Sequence, residues 1–113
     1  MKDVVNFHPS LLPYYGGPVP SYWCIKNGEL FTGFTLHRVT EKIDNGELLY
    51  QSVLQIQPED NEIILDKKIS MEASKFLHKY LDYVMGKELI IKKIVNADEV
   101  YKYHIKYLSF PKR

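Results

Sequence analysis

Two polar side chains near the beginning of the chain, Asn6 and His8, have types and spacing that could serve in oxyanion stabilisation and proton transfer. They lie in a stretch that contains Val4 and Val5 and stops at Pro9, a pattern typical of a short β-strand. Side chains two positions apart on a strand project from the same face. An amide can donate a hydrogen bond to a developing oxyanion, and an imidazole can transfer a proton. The alternative is a polar strand end satisfied by neighbouring backbone.

The segment that follows, residues 9–20, is predicted to be a long loop. It contains four of the six prolines of the chain, together with Gly16 and Gly17. Proline removes a backbone donor and glycine permits positive φ, so regular structure is not expected there. Stiff loops of this kind often line functional sites. This segment is termed the proline-rich loop below.

Two strands are expected to support that loop. Residues 31–39 are rich in threonine and aromatic residues, which favour a strand, and their side chains would alternate between two sides. A second stretch with two alternating sides covers residues 48–57. Between them, residues 40–46 are polar and contain the turn dipeptide Asn45-Gly46. The pattern predicts an antiparallel hairpin.

Two helices are also predicted. A short one begins at Pro20 or Ser21 and ends at Asn27-Gly28. A long one follows a polar loop over residues 58–65, with Asp66 as its N-cap and Gly86 as its C-cap. Apolar residues at spacings of three and four form one stripe on the long helix. The stripe consists of Ile69, Ala73, Phe76, Leu77, Tyr80, Leu81 and Val84.

Beyond the long helix the pattern is weaker. Residues 89–91 are apolar and predict a last short strand or turn. From Asn96 onward the chain is rich in tyrosine and lysine, and we expect it to run over the surface.

Composition narrows the class of protein. The 113 residues carry 15 Lys and Arg against 14 Asp and Glu, a net charge of +1 that gives no strong nucleic-acid signal. No run of about 18 apolar residues is present, so no membrane span is predicted. The single cysteine, Cys24, cannot form an internal disulfide, and a cytoplasmic location is expected. Nine tyrosines favour an interface, either a homo-oligomer or pairing with another polypeptide.

Residues 6–13 read Asn-x-His-x-Ser-Leu-Leu-Pro. With this string, residues 3–57 resemble the signature of the folate-dependent formyltransferases, which include enzymes acting on methionyl-tRNA, glycinamide ribonucleotide and sugar nucleotides. The ordered string Asn-x-His-x-Ser-Leu-Leu-Pro carries most of the resemblance, and Thr-Gly-x-Thr and Asp-x-Gly follow it. The matching residues are Asn6, His8, Ser10-Leu11-Leu12-Pro13, Gly17, Pro20, Trp23, Ile25, Gly28, Thr32-Gly33-Phe34-Thr35, His37 and Asp44-Asn45-Gly46.

The resemblance implies a catalytic set of Asn6, His8 and Asp44, with 10-formyltetrahydrofolate as co-substrate and a small-molecule amine as acceptor. Glu41, Ile43 and Asp44 would contact the folate, and no metal is needed. Taken alone, Asp44 also fits an Asx-turn with Asn45-Gly46. The loop residues that the resemblance places beside substrate are Ser10, Leu11, Leu12, Pro13 and Gly17. The other histidines are expected to be structural or on the surface; His37 is expected to be structural or half-exposed.

Two departures from the family's pattern are visible. Gly16 stands where the family usually has an arginine. The signature also begins at residue 6, whereas in the family it lies midway through the catalytic domain. The expected fold is therefore α/β, a small mixed sheet with flanking helices corresponding to the C-terminal half of that domain. Residues 1–113 would form one partial domain, with the signature region over 3–57 and the helix and tail over 58–113.

The missing first half bears on partners and activity. The first strand would have one open edge, so we expect self-association or a partner chain that supplies the N-terminal half. The expected function is formyl transfer to a primary amine, such as that of an amino-sugar nucleotide. The alternatives are a catalytically inactive remnant or binding module that keeps the fold, and a hydrolase that releases formate from the same co-substrate.

Overall fold

The computed structural model describes residues 5–39, 47–86 and 93–101. Three strands and three helices alternate along the chain as β1, α1, β2, β3, α2 and α3. Their bounds are Val5–His8 for β1, Pro20–Lys26 for α1, Phe31–Arg38 for β2, Leu48–Gln55 for β3, Glu62–Val84 for α2 and Ala97–Tyr101 for α3. The α/β class is confirmed, as are the predicted hairpin and the short helix that follows the proline-rich loop.

The strands form one sheet in the order β1-β2-β3, with both pairs antiparallel. Parallel pairing enters the described sheet at an isolated bridge between Tyr50 and Lys93. The register of the hairpin is irregular between Leu36 and His37, where β3 contains an extra residue. Because β1 begins the order, it is an edge strand among the described residues.

Directly opposed residues of antiparallel strands share a face of the sheet, so the register divides this sheet into two different faces. One face carries mostly polar side chains and is covered by the proline-rich loop; it is termed the polar face. Its members include Asn6, His8, Gly33, Thr35, His37 and Gln51. The other is termed the aromatic face. Its members include Phe7, Phe34, Leu36 and Tyr50.

The aromatic face packs on α2 through ring contacts. Tyr50 and Phe76 stack with centroids 3.9 Å apart, and Phe34 lies 6.2 Å from Phe76. Phe7 adds a further contact, with its centroid 5.6 Å from that of Phe34. Phe34 and Phe76 are buried, and full burial of a side chain of this size contributes about 1.5–3 kcal/mol. These rings therefore form the main apolar contact between sheet and helix.

The long helix begins earlier than predicted. Its N-cap is Asn61, whose Oδ1 accepts a 2.8 Å hydrogen bond from the Ile64 N–H, so Asp66 is not the cap. Asp66 instead accepts a hydrogen bond from the Ser21 hydroxyl at 2.5 Å and joins α2 to α1. The apolar run at residues 63–65 belongs to the first turns of α2, where Leu65 is fully buried.

The predicted apolar stripe of α2 is buried only in part. Ile69 and Phe76 are in the core, whereas Leu77 and Leu81 are each 45% exposed. A helix of 23 residues is about 35 Å long, and an eight-residue strand spans only about 27 Å. The helix therefore extends beyond the described sheet. None of the helices in the described ranges is long and apolar enough to cross a membrane.

The sequence predicts that the chain from Asn96 onward runs over the surface. The structure differs, because part of this segment is buried. Ala97 and Tyr101 of α3 are buried, and the Tyr101 hydroxyl donates a hydrogen bond to the Phe31 carbonyl at 3.2 Å. Its ring packs against Tyr14 and Tyr15, with centroids 5.0 and 5.7 Å away. Residues 93–101 thus cover the proline-rich loop. The predicted element at residues 89–91 lies outside the described residues.

Candidate active site

A single threonine hydroxyl holds the middle of the proline-rich loop against the polar face. Thr35 Oγ1 donates to the Ser10 carbonyl at 2.6 Å and accepts the Leu12 N–H at 3.1 Å. Both contacts are buried, where hydrogen bonds are screened little by water. The loop backbone is therefore fixed two and four residues after His8.

Gln51 extends this connection to the C-terminal segment. Its Nε2 donates to the Leu12 carbonyl at 2.8 Å and to Thr35 Oγ1 at 2.9 Å. Its Oε1 accepts the Val95 N–H at 3.0 Å. Because the side chain is fully buried, its amide ties together loop, sheet and C-terminal segment in an apolar setting.

The close approach of loop and sheet requires a glycine at position 33. A Cβ atom there would lie 1.9 Å from the Ser52 carbonyl oxygen and 2.8 Å from a Leu11 side-chain carbon. Neither distance is possible for a real Cβ, and the nearer atom belongs to the backbone of β3. The glycine of the Thr-Gly-x-Thr string thus allows Leu11 to pack directly on the sheet.

His8 is buried beneath the loop. It is 6% exposed, and its Nε2 lies 3.1 Å from the Tyr15 carbonyl oxygen. A carbonyl can only accept, so Nε2 carries the hydrogen. In the neutral ring the lone pair is then on Nδ1. Tyr15 has a φ of 56°, and this left-handed turn directs its carbonyl toward the imidazole.

Asn6 lies on the same face as His8 but is exposed. Its Nδ2 is 3.4 Å from Nε2 of His37, the residue directly opposite on β2. His37 is only 3% exposed, so it is neither half-exposed nor on the surface. The alternation of residues 31–39 placed it on one side of its strand, but its contact with Asn6 depends on a register that the sequence does not reveal.

Behind the loop, a buried polar cluster fixes Tyr15. The Tyr15 hydroxyl donates to Glu29 at 2.5 Å and accepts from Asn27 Nδ2 at 3.0 Å. Burial raises the pKa of the Tyr15 phenol far above its ordinary value, and the Glu29 carboxylate raises it further. Burial likewise raises the pKa of the Cys24 thiol to about 12, so this thiol is protonated and chemically inert at neutral pH.

The predicted site residues are brought together in part. Asn6 and His8 share the polar face, and Ser10, Leu11 and Leu12 lie against it. The Ser10 hydroxyl donates to the Tyr14 carbonyl at 2.9 Å, which is a loop-stabilising contact. Pro13 follows a cis peptide bond, and Gly17 has a φ of 83°. Glu41, Ile43 and Asp44 lie outside the described residues, so their folate-binding and catalytic roles stay predictions.

Comparison with known protein families identifies the class of protein. The family model described as formyl transferase matches residues 1–81, which include both halves of the hairpin and the segment between them. The chain belongs to the formyl transferase family.

The chain is similar to curated relatives that have different names. The chain is 40% identical over 84 residues to the bifunctional polymyxin resistance protein ArnA of Wigglesworthia glossinidia brevipalpis, covering 74% of this chain and 13% of that protein. It is 34% identical over 102 residues to a methionyl-tRNA formyltransferase of Thermodesulfovibrio yellowstonii, covering 90% of this chain and 33% of the relative.

The chain is also similar to solved structures, and one of these matches it over most of its length. It is the N-formyltransferase from Helicobacter canadensis in complex with folinic acid and dTDP-3-aminofucose. The identity is 28% and the TM-score 0.66, over 79% of this chain and 34% of that one. The chain spans between 13% and 33% of the length of the curated relatives it matches.

Proposed function

We propose that this chain takes part in transfer of a formyl group from 10-formyltetrahydrofolate to the primary amine of an amino-sugar nucleotide. The observation that carries the proposal is the placement of Asn6 and His8 on one face of the sheet, with His8 beneath a loop fixed by Thr35 and Gln51. A fixed loop holds the imidazole in one orientation, as proton transfer and oxyanion stabilisation require.

The reaction forms one C–N bond and breaks another. The acceptor amine attacks the formyl carbon, and negative charge develops on the formyl oxygen of the tetrahedral intermediate. The Asn6 amide would donate a hydrogen bond to that oxygen. Collapse of the intermediate breaks the bond from the formyl carbon to N10 of the folate, and the amine proton is passed on to that nitrogen. Asp44 would orient the water or imidazole that relays this proton.

The geometry of His8 supports a role for one particular ring nitrogen. Nε2 donates to the Tyr15 carbonyl at 3.1 Å. The nitrogen that accepts the amine proton is therefore Nδ1, and the imidazolium formed stays anchored through Nε2. Removing the imidazole is expected to slow transfer by roughly 10²–10⁴-fold, the usual contribution of a positioned acid–base group.

The acceptor is proposed from likeness to one class of relative. The similar structure from Helicobacter canadensis is a complex with folinic acid and dTDP-3-aminofucose. That complex supports a folate co-substrate and an amino-sugar nucleotide for this chain. Methionyl-tRNA is the competing acceptor, because a similar relative is named as a methionyl-tRNA formyltransferase. The net charge of +1 favours the smaller acceptor, since tRNA binding relies on many cationic contacts.

We also propose that a separate polypeptide carrying the N-terminal half of the domain pairs with β1. Among the described strands, β1 is at the edge of the sheet, and this chain matches only a third or less of its curated relatives' length. An edge strand offers unpaired N–H and C=O groups to an incoming strand. Such pairing would complete both the sheet and the folate pocket. The cytoplasmic location predicted from the single cysteine accords with this proposal.

The test is a complementation assay. The full chain is purified alone and together with a polypeptide that comprises the N-terminal half of a related formyltransferase domain. Each sample receives 10-formyltetrahydrofolate and dTDP-3-aminofucose, methionyl-tRNA or no acceptor. Formylated product and released formate are measured separately. The proposal predicts formylated amino sugar in the mixture. This product should be lost in the His8→Ala variant. The matched control is His78→Ala, at an exposed position of α2, which should keep the product.

The other outcomes identify the alternatives. Formate without formylated product indicates a hydrolase. Product with methionyl-tRNA alone overturns the amino-sugar acceptor but keeps the reaction class. If the mixture forms a complex yet neither binds folinic acid nor transfers a formyl group, the chain is an inactive member of the family. If no complex forms, the proposal of a pairing partner at β1 is wrong.

A further inference from the structure

We propose that His37 is a positioning residue for Asn6, which fixes the orientation of the Asn6 amide by accepting a hydrogen bond from it. The catalytic consequence of this inference rests on the proposed function, whereas the contact itself does not. The two residues are directly opposed on β1 and β2, and Asn6 Nδ2 lies 3.4 Å from His37 Nε2. His37 is buried and Asn6 is exposed, so the contact joins the interior of the sheet to its surface.

The first step of the argument concerns the imidazole. His37 Nδ1 lies 3.1 Å from the carbonyl oxygen of Arg38. A carbonyl oxygen can only accept, so Nδ1 must carry a hydrogen. In a neutral imidazole the other nitrogen then has a lone pair and no hydrogen. The backbone of β2 therefore makes Nε2 of His37 an acceptor.

The second step concerns the amide. An acceptor nitrogen can bond only the NH₂ group of Asn6, because the amide oxygen would present lone pair to lone pair. One of the two N–H bonds of Asn6 is thus directed at His37. The planar geometry of the amide fixes the direction of the second N–H, and it also fixes where Oδ1 lies.

The third step links this orientation to chemistry. An oxyanion is stabilised by a donor that already points to the place where charge develops, because no reorganisation is then needed. An Asn side chain free to turn about its terminal torsion would present oxygen for part of the time, and oxygen repels an oxyanion. His37 removes that alternative without contacting the substrate. It acts through Asn6, in the way that outer-sphere groups orient the ligands of a metal.

The test uses nitrogen-15 NMR on the full chain at a pH of about 8, above the ordinary histidine pKa of about 6.5. The ring nitrogen shifts of His37 report its tautomer, and the expected result is a protonated Nδ1 with a pyridine-like Nε2. The side-chain amide of Asn6 is followed in the same sample by its exchange with water.

Three variants then isolate the contact. In His37→Phe the Asn6 side-chain amide is expected to exchange roughly fivefold faster, the factor for losing a hydrogen bond worth about 1 kcal/mol. His37→Gln, whose side-chain oxygen can accept the same bond, should restore slow exchange. His78→Phe, on the exposed surface of α2, should leave it unchanged. Backbone spectra of all variants check that the fold is kept.

The outcomes separate this inference from the proposed function. A protonated Nε2 in the wild-type chain overturns it without any variant, as does unchanged Asn6 exchange in a folded His37→Phe chain. Neither measurement requires formyl transfer, so an inactive chain with the expected tautomer would keep the positioning contact and refute only its catalytic use. If transfer is found, His37→Phe should lower kcat more than it raises KM, because Asn6 acts in the transition state.

Discussion

The two faces of one small sheet are built on opposite principles. The aromatic face packs Phe34 and Tyr50 against Phe76 of α2 through ring contacts without hydrogen bonds between these side chains. The polar face is covered by a loop that Thr35 and Gln51 hold through buried hydrogen bonds. Apolar packing is large in energy and tolerant of shape, whereas buried hydrogen bonds are directional and intolerant of a missing partner.

This difference explains how a chain of this size can hold the side chains of a site in fixed positions. The aromatic face contributes stability through area removed from water, independently of any one atom's position. With the sheet stabilised in this way, the hydrogen bonds of the polar face hold His8 and the loop in a single arrangement. Substitutions on the aromatic face should therefore lower stability without altering the geometry of the site, whereas substitutions on the polar face should lower stability and also alter that geometry.

The largest effect is expected on the aromatic face. Phe34→Ala leaves a cavity between sheet and helix and should lower the free energy of unfolding by about 3–5 kcal/mol. Urea denaturation measures it. The matched control is Phe31→Ala on the same strand, because Phe31 is 39% exposed and its substitution should cost less than about 1 kcal/mol. Equal losses in the two variants would contradict the assignment of the core to this face.

The next largest effect distinguishes a glycine that is required for steric reasons, Gly33, from one that is favoured by its backbone conformation, Gly86. Gly33→Ala should cost about 3 kcal/mol, because its Cβ would overlap the Ser52 carbonyl and displace Leu11. Gly86→Ala is the control: it has a φ of 80° but open space around the new atom, so only left-handed strain of about 1 kcal/mol is expected. A Gly33→Ala chain as stable as the Gly86→Ala chain would show that the loop does not pack as closely as described.

A smaller loss is expected from the amide that joins loop, sheet and C-terminal segment. Gln51→Leu keeps the shape of the side chain but leaves its buried partners without their bonds, at a cost of about 2–3 kcal/mol. The proline-rich loop should then be cut faster by protease, unlike in Phe34→Ala at matched stability. Gln55→Leu, at an exposed position of the same strand, should change neither property.

The smallest effect is pH dependence at the loop before α2. Lys68 donates two hydrogen bonds to Asp60, at 2.7 and 2.9 Å, and lowers the pKa of that carboxyl together with the Gln57 N–H. A lowered folded-state pKa means stability that is present above the unfolded pKa of about 3.9 and is lost as pH falls through the folded value. Asp60→Asn should cost roughly 1 kcal/mol at neutral pH.

The shape of that pH profile provides the check. The difference between the wild type and Asp60→Asn should shrink as the pH is lowered below about 4. Glu72→Gln is the control, since the ion pair of Glu72 with the exposed Lys75 should contribute little at any pH. A difference in stability that stays constant down to acid pH would show that the ionised Asp60 carboxylate does not make this contribution.

Much of this fold could be predicted from periodicity. Alternation over residues 31–39 put Phe34 and Thr35 on opposite sides of their strand, and alternation over residues 48–57 did the same for Tyr50 and Gln51, as the sheet has them. Which sides share a face is known only from the register. The predicted start of α2 was wrong because the apolar residues 63–65 mask the helical pattern, and because Asn61 and Asp66 are both acceptable N-cap residues. The burial of Tyr101 could not be foreseen, since its partners lie some 70–90 residues earlier.

The candidate site was predictable where it is local and not where it depends on register. Asn6 and His8 lie two positions apart, so strand geometry alone puts them on one face. The pairing of Asn6 with His37 joins residues 31 apart, and a shift of one residue in the pairing would turn His37 to the opposite face. The hydrogen bond from Gln51 to Leu12 joins residues that are 39 positions apart, so it too could not be predicted from the sequence pattern.

The central claim is that the polar face, and not the aromatic face, binds the formyl donor. It is tested most directly by titrating folinic acid into the isotope-labelled chain in complex with its complementing half and following the NMR signals of both faces. The account predicts shifts at Asn6 and His8 and none at Phe76. Shifts confined to α2 and the aromatic rings would contradict it, and so would a complex in which the ligand perturbs neither face.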